Sequence, residues 1–354
     1  MNVAYLSFLY PNLKITGGAL HALNIVRELH KKIDVTVFVP NINIDTLPND
    51  LNIIPVNFFN KPLFSMLSFA FRTSKIIRKE NFDIIHSNEL SGLFVKTIDV
   101  VTFHHLPVTV KQRIHKFPTY VTSNKANIIT TVSEKTKNSL KKKGYDNVIV
   151  IPNGVDPTFL NPIAKIKKDH LKEMYGIDSD SENIILYVNS NFSKRKNFPL
   201  VLSTTEYLLE RESNFKLLMI GPANKKDFVK RKFARIGMDD RLIYISDISQ
   251  NLMPYHYAIS DFLIMPSFQE GFGLPLIEAL ACGKPFVSFD VGIASELVEN
   301  GFGFIAKTNR DFKKICLDLI KNPIVYTSSK RYIKNHYSWA SASKKLISIY
   351  EGLL

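Results

Sequence analysis

Residues 267–285 read SFQEGFGLPLIEALACGKP and set two glutamates, Glu270 and Glu278, eight positions apart around a glycine-rich turn. The run before the turn, Phe262–Met265, is apolar and strand-like, bounded by Asp261 and Pro266. Beyond Pro275, apolar residues recur at helical spacing (Leu276, Ile277, Leu280, Ala281) up to Gly283, with Pro285 after it. That pattern predicts a strand, a glycine turn and a helix stopped by a glycine. The first N–H groups of a helix lack internal partners and attract anions. Glu270 stands just before the turn and Glu278 one turn into the helix, so both carboxylates can serve one cleft. The stretch suits a ligand with phosphate at one end and hydroxyls at the other.

Outward from this stretch, short apolar runs alternate with helical patterns. Strands are expected at 3–9, 34–39, 51–56, 83–86, 98–103, 127–132 and 148–151, and helices at 18–30, 63–79 and 134–143. The first helix is expected to bury Leu20, Leu23, Val26 and Leu29. The alternation restarts with strands at 182–188, 216–221, 241–246, 261–265 and 285–290. Strands interleaved with helices imply a parallel sheet covered on both faces. Two series imply an α/β chain of two doubly wound, Rossmann-like domains. The break falls in IPNGVDPTFLNP (151–162), where three prolines and an Asn-Gly punctuate the chain. The resulting domains are 1–160 and 161–335, with a terminal helix whose Trp339, Ala342, Leu346, Ile349 and Tyr350 share a face.

A chain of 354 residues, 45% hydrophobic and 22% charged, is globular and long enough for two cores. Two distant cysteines, Cys282 and Cys316, are too few for a disulfide framework and point to the cytoplasm. The opening MNVAYLSFLYP lacks the basic region of a signal peptide, and no apolar run is long enough to span a bilayer. Forty-six Lys and Arg against 32 Asp and Glu give a formal charge of +14, which favours anionic partners. Compositional drift toward Lys, Ile and Asn accounts for much of that charge equally well. No G-x-G-x-x-G follows the first strand and no G-x-x-x-x-G-K-[ST] occurs, which disfavours the usual nicotinamide enzymes and removes P-loop NTPases. No His, Cys or Asp cluster has metal-ligand spacing, and no nucleic-acid-binding motif appears.

Polar residues that could do chemistry fall at expected strand ends, where open α/β sheets bind ligands. Gly17-Gly18 follows the first strand, either as a tight turn or as a close approach to an anion. His86 and His104 end two strands of the first domain, while His105 is expected to point elsewhere. Arg195 and Lys196, in NSNFSKRKNFP (189–199), follow a strand of the second domain. They form either a solvated cluster or a pair of fixed cations for a diphosphate.

Taken together, PSFQEGFGLPLIEALACGKPFV, VGIASELVENGFGF (291–304), the early GG, VTFHH, TTVSE (130–134), IPNGVD and the terminal YSWASASKKLISIYE resemble, in order, the retaining GT-B glycosyltransferases of family 4 (glycosyl transferases group 1). The resemblance covers almost the whole chain. It implies a GT-B fold, with an acceptor-binding first domain and a nucleotide-sugar-binding second domain facing each other across a cleft. The helix in 336–354 would return to the first domain. It further implies that Glu278 holds the donor's ribose hydroxyls and Glu270 approaches the sugar, with the turn Gly271, Phe272, Gly273 and Leu274 against phosphate. Pro275 has no N–H, so Leu274 and Leu276 are the expected donors. Arg195 and Lys196 would stabilise the departing diphosphate, Gly17 and Gly18 would lie against it, and His104 would sit beside the transferred sugar. Many relatives carry Gly-Arg where this chain has Ser190-Asn191, so the adjacent Arg195-Lys196 pair is left to supply the charge.

The implied reaction is a retaining, same-face displacement from a UDP- or GDP-sugar to a glycan or lipid-linked hydroxyl, with no metal and no other cofactor. Competing readings are another GT-B enzyme, an epimerase or phosphorylase, an inactive homologue, or a basic nucleic-acid-binding protein. The sugar and base are not legible, and the loop 244–250, expected near the base, holds no decisive residue. One stretch stands outside this reading. FFNKPLFSMLSFAFRTSKIIRK (58–79) combines Phe64, Leu67, Phe71 and Ile76 with Lys61, Arg72, Lys75, Arg78 and Lys79. It reads as a helix that packs its phenylalanines on the sheet, or as one that touches an anionic membrane at the inner face.

Overall fold

A computed structural model describes residues 1–8, 16–43, 48–59, 64–104, 119–160, 165–177, 182–212, 214–246 and 248–354. His105, Lys61 and position 247 lie outside the described residues. The chain divides into two compact units, Met1–Gly154 with Ser338–Leu354, and Val155–Tyr337.

The first unit runs β1 (Asn2–Leu6), α1 (Gly17–His30), β2 (Asp34–Pro40), β3 (Asn52–Val56), α2 (Ser65–Ile77), β4 (Ile84–Asn88), β5 (Ile98–Phe103), β6 (Ala126–Thr131), α3 (Glu134–Lys141) and β7 (Val148–Val150). Its parallel sheet has the order β3-β2-β1-β4-β5-β6-β7. Val3 to Leu6 are all fully buried, because helices cover a parallel sheet on both faces. In α1 the buried residues are Ala19, His21, Ala22, Ile25, Val26 and Leu29, while Leu20 and Leu23 are half-buried. Val26 and Leu29 are buried as expected, whereas in the first turns Ala19, His21, Ala22 and Ile25 take the inward positions and Leu20 and Leu23 lie at their margin.

The second unit runs α4 (Lys165–Met174), β8 (Asn183–Val188), α5 (Phe198–Leu209), β9 (Phe215–Gly221), α6 (Lys226–Ala234), β10 (Leu242–Ser246), α7 (Met253–Ile259), β11 (Phe262–Met265), α8 (Leu274–Ala281), β12 (Phe286–Ser288), α9 (Ala294–Glu299), β13 (Phe304–Ile305), α10 (Asn309–Lys321) and α11 (Ser329–His336). Its parallel sheet, β10-β9-β8-β11-β12-β13, repeats the winding of the first. Each sheet therefore has a point where strand order reverses, at β1/β4 and at β8/β11, and the loops leaving those strands frame a crevice. The two-residue β13 has too few positions to show an alternation, so periodicity misses it.

The division falls at Gly154/Val155, a few residues before the break read at 160. Val155 donates its N–H to Tyr337 O at 2.9 Å, and Phe159 meets the Tyr257 ring edge-on at 5.4 Å, both within the second unit.

The last helix, α12 (Trp339–Glu351), packs on α1. Trp339 meets the His21 ring edge-on at 5.9 Å, and Gly154 lets the chain pass Trp339. A Cβ at Gly154 would lie 2.2 Å from Trp339 N. Gly154→Ala therefore forces the backbone apart and should cost about 1–3 kcal/mol, as overpacking does. Thermal denaturation is the check, with a melting temperature lower than that of the parent.

At the other end of α12, Tyr350 reaches His86, buried within the sheet. His86 Nδ1 lies 2.5 Å from Tyr350 Oη, and Nε2 lies 2.7 Å from Thr102 Oγ1, which is 2.8 Å from Thr130 Oγ1. Thr130 in turn donates to Val101 O at 3.5 Å. One direction of donation satisfies this chain: Tyr350 to Nδ1, Nε2–H to Thr102, Thr102 to Thr130, Thr130 to the carbonyl. It requires a neutral imidazole. Burial, with His21 adding to it, pushes the His86 pKa down to about 3, and burial pushes His21 to about 4 against the hydrogen bond that Asn153 Oδ1 accepts from its ring. Both values lie below the ordinary 6.5 of an unfolded histidine, so the unfolded chain takes up protons that the native state refuses. This contribution to stability is complete above pH 6.5 and is lost as pH falls toward 4 and below. A melting-temperature profile should drop steeply over that window, and Tyr350→Phe should start from lower stability by about 1 kcal/mol.

Candidate active site

In the second unit the loops after β8 and β11, neighbouring strands at the reversal point, meet through one carboxylate. Lys194–Lys196 form a short 3-10 turn ending at Asn197, which is left-handed at φ 50°. Upstream, Asn189 Oδ1 accepts the N–H groups of Asn191 (3.3 Å) and Phe192 (3.0 Å) and tightens the loop. That bond and the Phe192–Phe198 ring contact at 5.2 Å hold Phe192 at φ 49°, a conformation unusual for a bulky residue. Phe268 N–H donates to Arg195 O at 2.8 Å, joining the two loops by their backbones. Arg195 Nη1 then lies 3.0 Å from Glu270 Oε2, and Lys196 Nζ 2.6 Å from Oε1.

Burial alone would raise the Glu270 pKa. Lys196 and Arg195, helped by Ser267, overcome it and hold the carboxyl below the usual carboxylate range. Two cations against one carboxylate leave the cluster with a net positive charge. In the same loop the buried atoms Ser193 Oγ and Asn197 Nδ2 have no hydrogen-bond partner. Natural proteins pair such groups almost always, so these two are left to be met by water or by a bound group.

The turn 271–273 delivers the chain into α8 through Gly273, at φ 98°. Gly292 backs this turn: a Cβ there would fall 2.0 Å from Phe272 O, and Ile293 N–H donates to that carbonyl at 2.9 Å. The VGI of residues 291–293 is thus a clamp on the glycine turn. The N–H of Leu276 turns back to Gly273 O at 2.9 Å, so of the two donors expected only Leu274 keeps an open N–H. At the other end of α8, Gly283 and Lys284 cap the carbonyls of Leu280 (3.0 Å) and Ala279 (2.9 Å), the pattern of a glycine-terminated helix.

Glu278, half-buried on α8, accepts a hydrogen bond from Tyr257 Oη on α7 at 2.5 Å. Burial, with Asp156 adding to it against the tyrosine bond, pushes its pKa up to about 7. The two glutamates therefore differ in kind: Glu270 is a fixed anion, and Glu278 titrates near neutrality.

In the first unit, Thr16 Oγ1 takes the N–H of Ala19 at 3.2 Å and caps α1, leaving Gly17 and Gly18 at the open end. A Cβ at Gly18 would meet His104 Cδ2 at 3.5 Å, an ordinary contact, so proximity to His104 does not require glycine there. His104 Nε2 lies 2.7 Å from Asn88 Oδ1, and Asn88 Nδ2 donates to Ser7 Oγ at 3.0 Å. With its amide nitrogen so used, Asn88 presents its oxygen, and His104 carries a proton on Nε2. His21 packs edge-on to His104 at 4.8 Å and is held by Asn153 at 2.7 Å. Gly18, His104, Asn88 and His21 thus converge, whereas His86 is spent on Tyr350 and Thr102 inside the sheet. Asn88, His21 and Tyr257 are the neighbours that sequence reasoning missed. Only Asn88 left a trace, as a polar residue two positions after His86 on the same strand face.

Residues 15–159 match Glycosyltransferase Family 4, and residues 169–339 match Glycosyl transferases group 1. The chain belongs to this glycosyltransferase family. It is 22% identical to an uncharacterized glycosyltransferase of Methanocaldococcus jannaschii over 99% of this chain and 98% of that one. It is 24% identical to the N-acetyl-alpha-D-glucosaminyl L-malate synthase of Bacillus anthracis over 81% of this chain and 78% of the relative. Its fold matches HepE of Anabaena, solved with UDP-glucose, with a TM-score of 0.81 over 99% of this chain and all of that one at 18% identity. This protein is therefore a GT-B glycosyltransferase of the retaining class, transferring sugar from a nucleotide-sugar.

The Glu270 cluster gives this glycosyltransferase a measurable signature. Glu270→Ala leaves Lys196, largely buried, without its anion and should destabilise the enzyme by about 3–5 kcal/mol. Adding Lys196→Met to it should recover most of that loss. Chemical denaturation of the two variants is the measurement.

Proposed function

We propose that this glycosyltransferase moves a sugar with retention from a UDP- or GDP-sugar to a hydroxyl of a glycan or lipid-linked acceptor, in a same-face displacement. The observation that supports it best is the Arg195–Glu270–Lys196 cluster: two cations, one anion, and unspent buried donors beside it. In this reading the diphosphate lies against Arg195, Lys196 and the turn Gly271, Phe272, Gly273 and Leu274. Negative charge grows there as the sugar–oxygen bond breaks, and fixed cations stabilise it without reorganisation. The leaving phosphate oxygen accepts the acceptor's proton. Glu270, held by the cations, faces the sugar hydroxyls.

Glu278 takes the ribose hydroxyls, and Tyr257 holds its carboxylate in place. On the first unit, His104, oriented by Asn88, stands beside the transferred sugar, and Gly17 and Gly18 present N–H groups to phosphate. A UDP-glucose complex of HepE and a GDP-mannose-dependent mannosyltransferase among the relatives support the choice of bases. Both cysteines are free thiols, which suits a reducing cytoplasm.

The direct test is a panel of UDP-, GDP- and ADP-sugars with hydroxyl acceptors, followed as nucleoside diphosphate release and glycoside formation. Glycoside of retained anomeric configuration is expected; an epimerised sugar or a sugar 1-phosphate would overturn the reading. A second test follows from Glu278. Two hydroxyl donors favour its ionised form, so nucleotide affinity should fall as pH drops below about 7. Glu278→Gln should weaken binding by about 1.5–3 kcal/mol above pH 7 and flatten that dependence. Calorimetry showing unchanged affinity would remove the ribose role.

A further inference from the structure

The outer face of α2 takes no part in the donor site proposed above. Its inner face, Phe69, Ala70, Thr73, Ser74 and Ile77, is buried, and Phe69 joins Phe8 and Phe38 in the core. Phe58 also turns inward, edge-on to Phe8 at 5.7 Å. The outer face is different. Phe59, Phe64 and Phe71 are 59%, 58% and 47% exposed, and Phe94 is exposed beside them. Phe64, Phe71, Lys75 and Arg78 recur at spacings of seven, four and three, which keeps them on one helical stripe. The aromatics enclose a groove of about 560 Å³ with Leu67 and Arg72. The Arg72 guanidinium lies 5.0 Å from the Phe59 ring centre and the Lys75 ammonium 4.6 Å from that of Phe71. Phe71 meets Phe94 edge-on at 5.8 Å. Lys75, Arg78 and Lys79 are exposed and have no ion-pair partner among the described residues; Glu80 follows them at the helix end.

We infer that this face docks the protein on the surface of an anionic lipid bilayer. Exposed aromatic rings capped by cations match the headgroup layer, where rings enter the apolar boundary while the cations stay at phosphate depth. A patch of this composition on a soluble surface costs free energy unless something covers it. Four cations around it select an anionic cover, and the formal charge of +14 reinforces the selection. No helix among the described residues is long and apolar enough to cross a membrane, so the attachment inferred is peripheral.

The experiment is vesicle sedimentation of the full chain with phosphatidylglycerol-containing or pure phosphatidylcholine vesicles, at low and high salt. Partition onto the anionic vesicles should be at least about tenfold stronger than onto neutral ones and should fade with salt. Each surface cation is worth roughly fivefold, so Lys75→Ser/Arg78→Ser/Lys79→Ser should lower partition about 100-fold. Phe64→Ser/Phe71→Ser should also weaken binding while leaving its salt dependence. Both variants should keep the parent's melting temperature and nucleotide affinity, since these side chains face outward. Equal partition onto both vesicle types, or none, overturns the inference. So does self-association that depends on the same phenylalanines without lipid binding, which would make the face a protein contact.

Discussion

The carboxylate of Glu270 is the constraint around which the second unit's crevice is arranged. It bridges cations delivered by the loop after β8 to a chain leaving β11, and the Phe268 N–H to Arg195 O bond runs parallel to it. Without an anion between them, Arg195 and Lys196 would repel each other in a partly desolvated position. With it, the site keeps one net positive charge at a fixed place, before any substrate arrives. In the reaction proposed above, such a preformed positive site would meet the departing diphosphate without the reorganisation of solvent or side chains that adds to a barrier. The left-handed Phe192 and Asn197 are consistent with a loop held by its neighbours rather than by its own preferences.

The two signature glutamates illustrate how environment divides identical side chains. Glu270 sits among cations, and its pKa is pulled down despite burial. Glu278 has a phenol for a partner and no cation, so burial wins and its pKa rises to about 7. One is suited to permanent electrostatics; the other is suited to accept hydroxyl donors that replace its lost solvation. The first unit uses neutral polar groups instead. His21 and His86 are uncharged because they are buried, and His104 is oriented through the amide of Asn88. Stability and site geometry are linked there: His21 packs on His104, while Trp339 of α12 packs on His21. The last helix therefore supports a residue far from it in sequence.

Much of this architecture is legible in the sequence. Most strand positions followed from apolar runs bounded by Gly, Pro and Asp, because a buried parallel strand has no polar face to disguise it. The strand–turn–helix at 262–283 was readable from local chemistry, since a glycine turn and a glycine stop act through backbone geometry alone. By itself the sequence also determined the net charge, the alternation that requires two wound sheets, the presence of Glu270, Arg195 and Lys196 beyond strand ends, and that of Glu278 in the helix that follows.

Other features had to wait for the fold. Which residues of the first turns of α1 are buried depended on the elements that pack against it. Whether the phenylalanines of 58–79 face in or out was divided between both answers, with Phe58 and Phe69 inside and Phe64 and Phe71 outside. That Glu270 joins both cations, that His86 is spent on Tyr350 and that Asn88 orients His104 are contacts between residues 16 to 264 positions apart. Periodicity and motif spacing describe neighbours along the chain; hydrogen bonds and burial depend on neighbours in space, and only the tertiary structure decides those.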